Sequence, residues 1–255
     1  MYNDEIVHIA AEAGKIMLEN GGETYRVEQT IAMICNAYNI KTTESFVTPT
    51  VVMISITNVM GETNTVIRRV TSRTVDLEKV AAINNLSRSL YSKPLLMKDL
   101  KDEVKNIENH QRYGDKISII AAGITTAFFT LLFGGNIRDF TISFIAGILI
   151  KILSNFLNKL DVNSFFINVL GGALAAVIAL VAGTFFTGFN VDKIIIGSIM
   201  LLVPGLAITN GIRDTISGDL LSGLSRSLEA LMIAGAIAAG TGIVFKIWIY
   251  IFGGV

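Results

Sequence analysis

Cysteine, histidine and charged residues are scarce in this chain of 255 residues. The single cysteine, Cys35, excludes an internal disulfide and a cysteine-based metal site. The two histidines, His8 and His110, lie far apart and lack the spacing of metal ligands. Only 16% of the residues are charged and the formal net charge is zero, which gives no indication of nucleic-acid binding. We therefore expect no metal, no cofactor and no nucleic-acid partner.

Charge is also distributed unevenly along the chain. Residues 1–116 hold 14 of the 21 Lys and Arg residues and 15 of the 21 Asp and Glu residues. The other 139 residues hold only seven Lys and Arg residues and six Asp and Glu residues. Of the whole chain, 51% is hydrophobic. The acidic N-terminus has no apolar run of the kind found in a secretory signal, so we expect none. This distribution predicts a soluble-like N-terminal half and a membrane-like C-terminal half.

The N-terminal half has the periodicities of a small mixed domain. Apolar residues at helical spacing predict helices over residues 4–19, 24–38 and 75–91. Between them, runs rich in Val, Ile and Thr predict strands over 43–47, 51–57 and 64–70. The resulting order, ααβββα, predicts a soluble cytoplasmic α+β domain over residues 1–92.

A polar cluster opens the second predicted helix, just after Gly21-Gly22. Its members are Glu23, Thr24, Tyr25, Arg26 and Glu28. One interpretation is a capped and solvated first turn, because Thr24 is a suitable N-cap. The other is a contact surface or a ligand site at a helix N-terminus.

Residues 93–116 form a predicted amphipathic connector. Leu96, Leu100, Val104 and Ile107 recur at helical spacing among lysines and arginines. Such a helix suits either the membrane surface or the face of a soluble domain, and the sequence leaves both placements open.

Five apolar segments follow in the predicted membrane domain, residues 117–255. A hydrocarbon core of about 30 Å needs about 20 apolar residues in a helix. The segments predict transmembrane helices at about 117–133, 140–157, 165–186, 194–212 and 228–252. Their frequent Gly and Ala residues favour close helix packing over a direct role in a pathway.

The distribution of Lys and Arg predicts the orientation in the membrane. With the N-terminus inside, nine basic residues flank the inner ends of the helices and two, Arg138 and Lys193, flank the outer ends. The nine inner residues are Lys93, Lys98, Lys101, Lys105, Arg112, Lys116, Lys159, Arg213 and Arg226. The odd number of predicted helices then places the C-terminus outside.

The fourth apolar segment is interrupted at Pro204-Gly205, near the predicted middle of the bilayer. Proline removes a backbone donor, and a broken helix at that depth is typical of transporter substrate sites. Polar residues then accumulate as far as the fifth segment: Asn210, Arg213, Asp214, Asp219, Ser222, Arg226 and Glu229. Arg213 with Asp214, or Arg226 with Glu229, are possible ion pairs of an ordinary loop. The alternative is a gate in which an arginine meets a carboxylate.

These motifs resemble the threonine/serine exporter family over nearly the whole chain. The first runs from Leu202-Val203-Pro204-Gly205 through Thr209–Asp214 to Glu229-Ala230. The second is Gly22–Glu28, followed by Pro49-Thr50 and Arg69-Val70. Long members of the family have about ten membrane helices, so this chain is most similar to the larger subunit of the split form.

The resemblance implies secondary transport driven by the proton motive force in a bacterial inner membrane. It implies a smaller four-helix partner subunit, with the possibility of a higher oligomer. The cargo class is dicarboxylate, such as succinate, in the split form and threonine or serine in the fused form. The substrate pathway is expected at Pro204, Gly205, Asn210, Arg213, Asp214, Asp219, Arg226 and Glu229, beside the N-terminal motif Glu23, Thr24, Arg26, Glu28, Pro49 and Thr50.

Two other functions compete with export of a small carboxylate. A membrane-anchored hydrolase or sensor would act through the N-terminal domain, with Glu23, Glu28, Thr50 and Ser55 as its polar set. No Gly-x-Ser-x-Gly motif and no histidine accompanies them, so we expect no enzyme. An assembly protein without transport activity is the other alternative.

Overall fold

The computed structural model describes residues 2–40, 42–57, 63–110 and 113–253, with ten helices and three strands among them. These elements divide into two compact units. The first comprises Met1–Arg112 and Leu206–Leu228, and the second comprises Tyr113–Gly205 and Glu229–Val255. Each unit is considered separately.

The first unit is built around a small antiparallel sheet. Strands β1 (Thr43–Thr48), β2 (Val51–Thr57) and β3 (Thr63–Arg69) lie in the order β1-β2-β3, with Val47 opposite Val52 and Ile54 opposite Val66. Val52, Ile54 and Ile56 alternate toward the buried face because side chains of a strand point to opposite sides in turn. The strands agree with the sequence prediction to within one residue at each end.

Helices α1 (Tyr2–Glu19) and α2 (Thr24–Ala37) cover the apolar face of this sheet, and α3 (Leu77–Ser92) packs against these two helices. Ile6, Ile16 and Ile31 are among their fully buried side chains. Asp76 caps α3 by accepting a hydrogen bond from the Lys79 amide at 3.3 Å, as its sequence position predicts.

Helix α4 (Met97–Glu108) belongs to this same core. It buries Leu100, Val104 and Ile107 in the cluster formed by α1, α2, α3 and the sheet. The connector therefore packs on its own unit, which decides between the two placements that the sequence left open. Arg112, at the end of the predicted connector helix, lies outside the described residues.

The second unit contains α5 (Asp115–Leu132), α6 (Ile137–Lys159), α7 (Ser164–Phe185) and α8 (Val191–Ile199). Small residues permit close contacts: a Cβ at Gly172 would lie 2.7 Å from the Ile237 carbonyl oxygen. Thr130 donates a hydrogen bond to Ser143 at 2.6 Å between α5 and α6. Small and hydroxylated residues at helix contacts are typical of helices that pack in a membrane.

Four helices among the described residues are long and apolar enough to cross a membrane. They are α5, α6, α7 and α10 (Leu220–Phe252), which has 33 residues. These four correspond to the predicted segments at 117–133, 140–157, 165–186 and 228–252. The length and apolar composition of these four helices are those of a multi-pass membrane protein.

The predicted fold class, a soluble α+β domain followed by five transmembrane helices, is wrong. The expected span at 194–212 is divided into α8, with nine residues, and α9 (Gly205–Ile216), with twelve. At 1.5 Å per residue neither helix reaches the length of the hydrocarbon core. The proline at 204 prevents a continuous helix because it lacks an amide proton and clashes with the preceding turn. The sheet is also a minor part of a mainly helical molecule.

Candidate functional site

Asp214 is the centre of a buried polar cluster in the first unit. Its side chain is fully buried, and one oxygen, Oδ2, lies 3.0 Å from Nε of Arg226 and accepts a hydrogen bond from Thr24 Oγ1 at 3.1 Å. The other oxygen, Oδ1, accepts from the Thr24 backbone amide at 3.4 Å. The carboxylate of Asp214 therefore binds Thr24, a residue 190 positions away in the sequence.

Asp214 also completes the N-terminus of α2. The N-cap residue of this helix, Glu23, forms no capping hydrogen bond with its own side chain. The first amides of a helix lack partners within the helix, and its N-terminal end carries a partial positive charge. Asp214 supplies an acceptor and a negative charge to that end, so a residue from a distant helix performs the function of a local cap.

Arg226 and Asn210 hold the glycine turn that precedes α2. Arg226, only 5% exposed, donates from Nη2 to the carbonyl oxygen of Gly22 at 2.8 Å. Asn210 donates from Nδ2 to the carbonyl oxygen of Gly21 at 3.0 Å. Gly21 has a φ of +97°, and a Cβ at Gly22 would lie 2.8 Å from the Met17 carbonyl oxygen, so both positions require glycine.

A second, more exposed set of charges borders this cluster. Glu23 forms an ion pair with Arg213 through Oε1 and accepts a hydrogen bond from Arg26 Nε through Oε2 at 2.8 Å. The Arg213 side chain is 53% exposed, so solvent weakens its attraction to Glu23. The structure thus pairs Asp214 with Arg226, and Arg213 with Glu23.

Glu28 and Ser222 bind the two backbone polar groups of Val47 in β1. Glu28 Oε1 accepts a hydrogen bond from the Val47 amide at 3.0 Å, and Ser222 Oγ donates to the Val47 carbonyl at 3.4 Å. Burial raises the pKa of Glu28, the Val47 hydrogen bond opposes this, and the negative charges of Asp219 and Asp214 raise it further. Glu28 is therefore a carboxyl group that retains a proton more readily than an exposed glutamate.

Asp219, Pro49 and Thr50 are the remaining predicted site residues of the first unit. Asp219 follows Gly218 in the turn between α9 and α10, where its amide donates to the Asp214 carbonyl oxygen at 2.9 Å. Pro49 is buried and Thr50 exposed in the two-residue turn between β1 and β2. Pro204, Gly205 and Glu229 belong to the second unit, so only sequence arguments connect them with the cluster.

Sequence reasoning missed the roles of Gly21, Gly22 and Val47, which take part through backbone groups. In the sequence the glycine pair only precedes the polar cluster, with Gly22 as the first residue of a motif, and nothing in its neighbourhood signals a contact with Asn210 or Arg226. The polar cluster at the start of α2 proves to be a contact surface for residues 206–228, one of the two alternatives considered for it.

The structure does not assemble the polar set considered for a hydrolase. Ser55 Oγ is paired with Thr65 Oγ1 at 3.2 Å across two exposed strand positions. Glu28 accepts a hydrogen bond from the Val47 amide, and Glu23 forms ion pairs with Arg213 and Arg26. Across the described ranges, no group of three or more His, Cys, Asp or Glu side chains is arranged to hold a metal ion.

Comparison with known families decides the relationship. Residues 8–248 match the model of the ThrE family, described as "Putative threonine/serine exporter". The chain belongs to this family. The match confirms the resemblance carried by the Gly22–Glu28 and Leu202–Ala230 motifs, and the description is that of an exporter and not of an enzyme.

Individual ThrE relatives differ in length. A threonine/serine exporter of Corynebacterium glutamicum is 25% identical over 93% of this chain and 50% of its own length. A probable threonine/serine exporter of Mycobacterium tuberculosis is 21% identical over 94% of this chain and 46% of its own length. The chain thus spans about half the length of these relatives.

A third ThrE relative has a length similar to that of this chain. It is a probable succinate transporter subunit, YjjP, of Klebsiella aerogenes, which is 20% identical over 95% of this chain and 94% of its own length. No solved structure matches the chain.

Proposed function

We propose that this chain is a subunit of a secondary transporter that exports a small carboxylate-bearing metabolite across a bacterial cytoplasmic membrane. Membership of the ThrE family and four apolar helices support transport across a membrane. Threonine, serine and succinate, the cargoes in the names of its relatives, all carry a carboxylate. Their shared chemistry defines the substrate class.

The observation that carries the proposal further is the buried pair of Arg226 and Asp214. Arginine presents several N–H donors in a planar fork that matches a carboxylate. In this structure the carboxylate beside Arg226 belongs to the protein itself, and it also lies at the N-terminus of α2. A substrate carboxylate that displaces Asp214 would find both a guanidinium and a helix N-terminus, and its arrival would free α9 from α2. We assign the pair as a gate.

A second membrane subunit completes the transporter in this proposal. The relative of similar length is named as a subunit, and the two named exporters are about twice as long as this chain. We propose a smaller four-helix protein as the partner. Co-purification of such a protein, and the mass of the assembly, would test this and would also identify a higher oligomer.

Transport is tested by counterflow in vesicles that contain the chain and its partner, with threonine, serine and succinate in parallel. Uptake of at least one cargo is expected. Arg226→Lys keeps the charge and removes the fork, and we expect it to lower uptake about tenfold or more, since disturbing a buried charge pair costs about 2 kcal/mol or more. Arg213→Lys is the matched control and should retain most of the activity.

Protection of Cys35 from a maleimide, measured on the same samples, reports whether the first unit is folded. Absence of uptake for all three cargoes by a folded assembly would contradict the proposed substrate class. Equal loss in the Arg226 and Arg213 variants would contradict the assignment of the gate.

A further inference from the structure

Residues 206–228 have an inverted distribution of polarity. Three of their polar side chains face the interior of the first unit: Asp214 is fully buried, and Asn210 and Arg226 are 4% and 5% exposed. Arg213, beside Glu23, is 53% exposed. The large aliphatic side chains of residues 206–228 face outward. A helix on the surface of a water-soluble domain has the opposite arrangement, with its apolar side against the core.

Exposed aliphatic side chains recur at helical spacing on both helices. On α9 they follow the spacing i, i+4, i+8 at Ile208, Ile212 and Ile216, which are 41%, 55% and 81% exposed. On α10 they continue through Leu220, Leu221, Leu224 and Leu228, each more than half exposed. An exposed apolar surface of this kind marks a contact with a membrane or with another protein.

We propose that α9 and the first turns of α10 form a hairpin embedded in the lipid bilayer, with the hairpin's aliphatic face against acyl chains and the ion pair of Asp214 and Arg226 sheltered inside the protein. Charged residues within a membrane face the protein interior and pair with one another, as these two do. With twelve residues, α9 is about 18 Å long and enters the bilayer without crossing it.

Two observations favour lipid over a protein partner as the occupant of this face. First, Leu220–Leu228 are the start of α10, a single helix whose length and composition already qualify it as a membrane span. Second, the large exposed apolar side chains of residues 206–228 are all Ile or Leu, and the segment contains no aromatic side chain. Protein interfaces are enriched in aromatic residues, Met and Arg, whereas acyl chains select only for apolar character.

The inference is tested by spin labelling of the full chain in vesicles of phosphatidylethanolamine and phosphatidylglycerol. Single cysteines are introduced at Ile212, Ile216 and Leu224 after Cys35→Ser, and accessibility to oxygen and to a water-soluble nickel chelate is measured. Val177→Cys on the candidate span α7 serves as the lipid-facing control. Arg88→Cys on α3, an exposed polar position, serves as the water-facing control.

We expect the ratio of oxygen to nickel accessibility at the three test positions to match the ratio at position 177 and to exceed that at position 88 several-fold. A ratio like that of position 88 would place the hairpin in water and overturn the inference. Low accessibility to both reagents would also overturn it, because the face would then be covered by protein, such as a second copy of the chain. The measurement needs no cargo, so it stands apart from the counterflow test.

Discussion

At the scale of single residues, Asp214 connects more of the first unit than any spacing in the sequence suggests. It contacts Thr24 at the start of α2 and Arg226 on α10, and it is fully buried. A buried ion pair has an uncertain net contribution to stability, since desolvation opposes the attraction. Removal of one partner has a clear sign, because the other charge stays buried and loses an opposite charge beside it.

We expect Asp214→Asn to lower the free energy of unfolding of the first unit by about 3 kcal/mol or more, because Arg226 would remain buried beside a neutral amide. Denaturant titration monitored by Cys35 exposure measures the effect. Arg213→Ala, which breaks the exposed pair with Glu23, should cost less than about 1 kcal/mol. Similar losses in both variants would show that the pair of Asp214 and Arg226 is not the buried anchor that its geometry indicates.

Glu28 should make the stability of this unit dependent on pH. The folded protein raises the pKa of Glu28 above its ordinary value of 4.5, chiefly through burial, so the folded state holds this proton more tightly than the unfolded state. The resulting stabilisation is complete below the unfolded pKa and is lost as pH rises through the folded pKa.

Glu28→Gln keeps an oxygen for the Val47 amide and removes the titration. We expect the melting temperature of the unmodified chain, relative to this variant, to fall as pH rises from about 4 toward neutrality. Maleimide labelling of Cys35 during heating, normalised at each pH to the denatured protein, gives the comparison. A difference between the two proteins that is constant with pH would contradict the role assigned to Glu28.

At the scale of elements, the break between α8 and α9 decides how many helices are long enough to cross the membrane. Apolar composition continues through Ile194–Ile212, and that composition alone predicted a fifth span. The helical hydrogen-bonding pattern stops after Ile199 and resumes at Gly205. Composition therefore describes the polarity of this segment correctly, whereas its backbone geometry depends on Pro204 and the residues before it.

Pro204→Ala restores an amide proton and removes the clash of the ring with the preceding turn. We expect this variant to favour a longer continuous helix and to reduce counterflow, while the amount of folded assembly recovered by gel filtration stays the same. Gly205→Ala is the control, since a Cβ at this glycine meets no other atom within 4 Å. Full transport activity of Pro204→Ala would show that the helix break is not needed for the pathway.

At the scale of the whole molecule, orientation in the membrane remains a prediction from the distribution of Lys and Arg. Arg213 and Arg226, counted there as inner residues, lie in the same compact unit as Lys93, Lys98 and Lys101. One unit therefore collects basic residues from two distant parts of the chain. This grouping supports a cytoplasmic position for residues 1–112, with the N-terminus inside. The expected position of the C-terminus outside depended on five spans, whereas an even number of crossings places both termini on the same side.

Cysteine labelling at Thr50 tests this orientation, because Thr50 lies exposed in the turn between β1 and β2. We expect Thr50→Cys to resist a membrane-impermeant maleimide in intact cells and to react after the membrane is opened. The native Cys35 adds little background, since burial raises the pKa of its thiol to about 11. Reaction from outside intact cells would place the first unit on the opposite side.

The sequence by itself determined the helices and strands within residues 1–112, the four apolar helices long enough to cross a membrane and the relationship to ThrE proteins. These depend on periodicity, segment length and motifs, all of which are local properties. Only the tertiary structure decided that Asp214 pairs with Arg226, that both hold the start of α2, and that α4 packs on its own core. Such contacts join residues up to 204 positions apart, and their partners are selected by burial and charge in the folded chain, which no local pattern records.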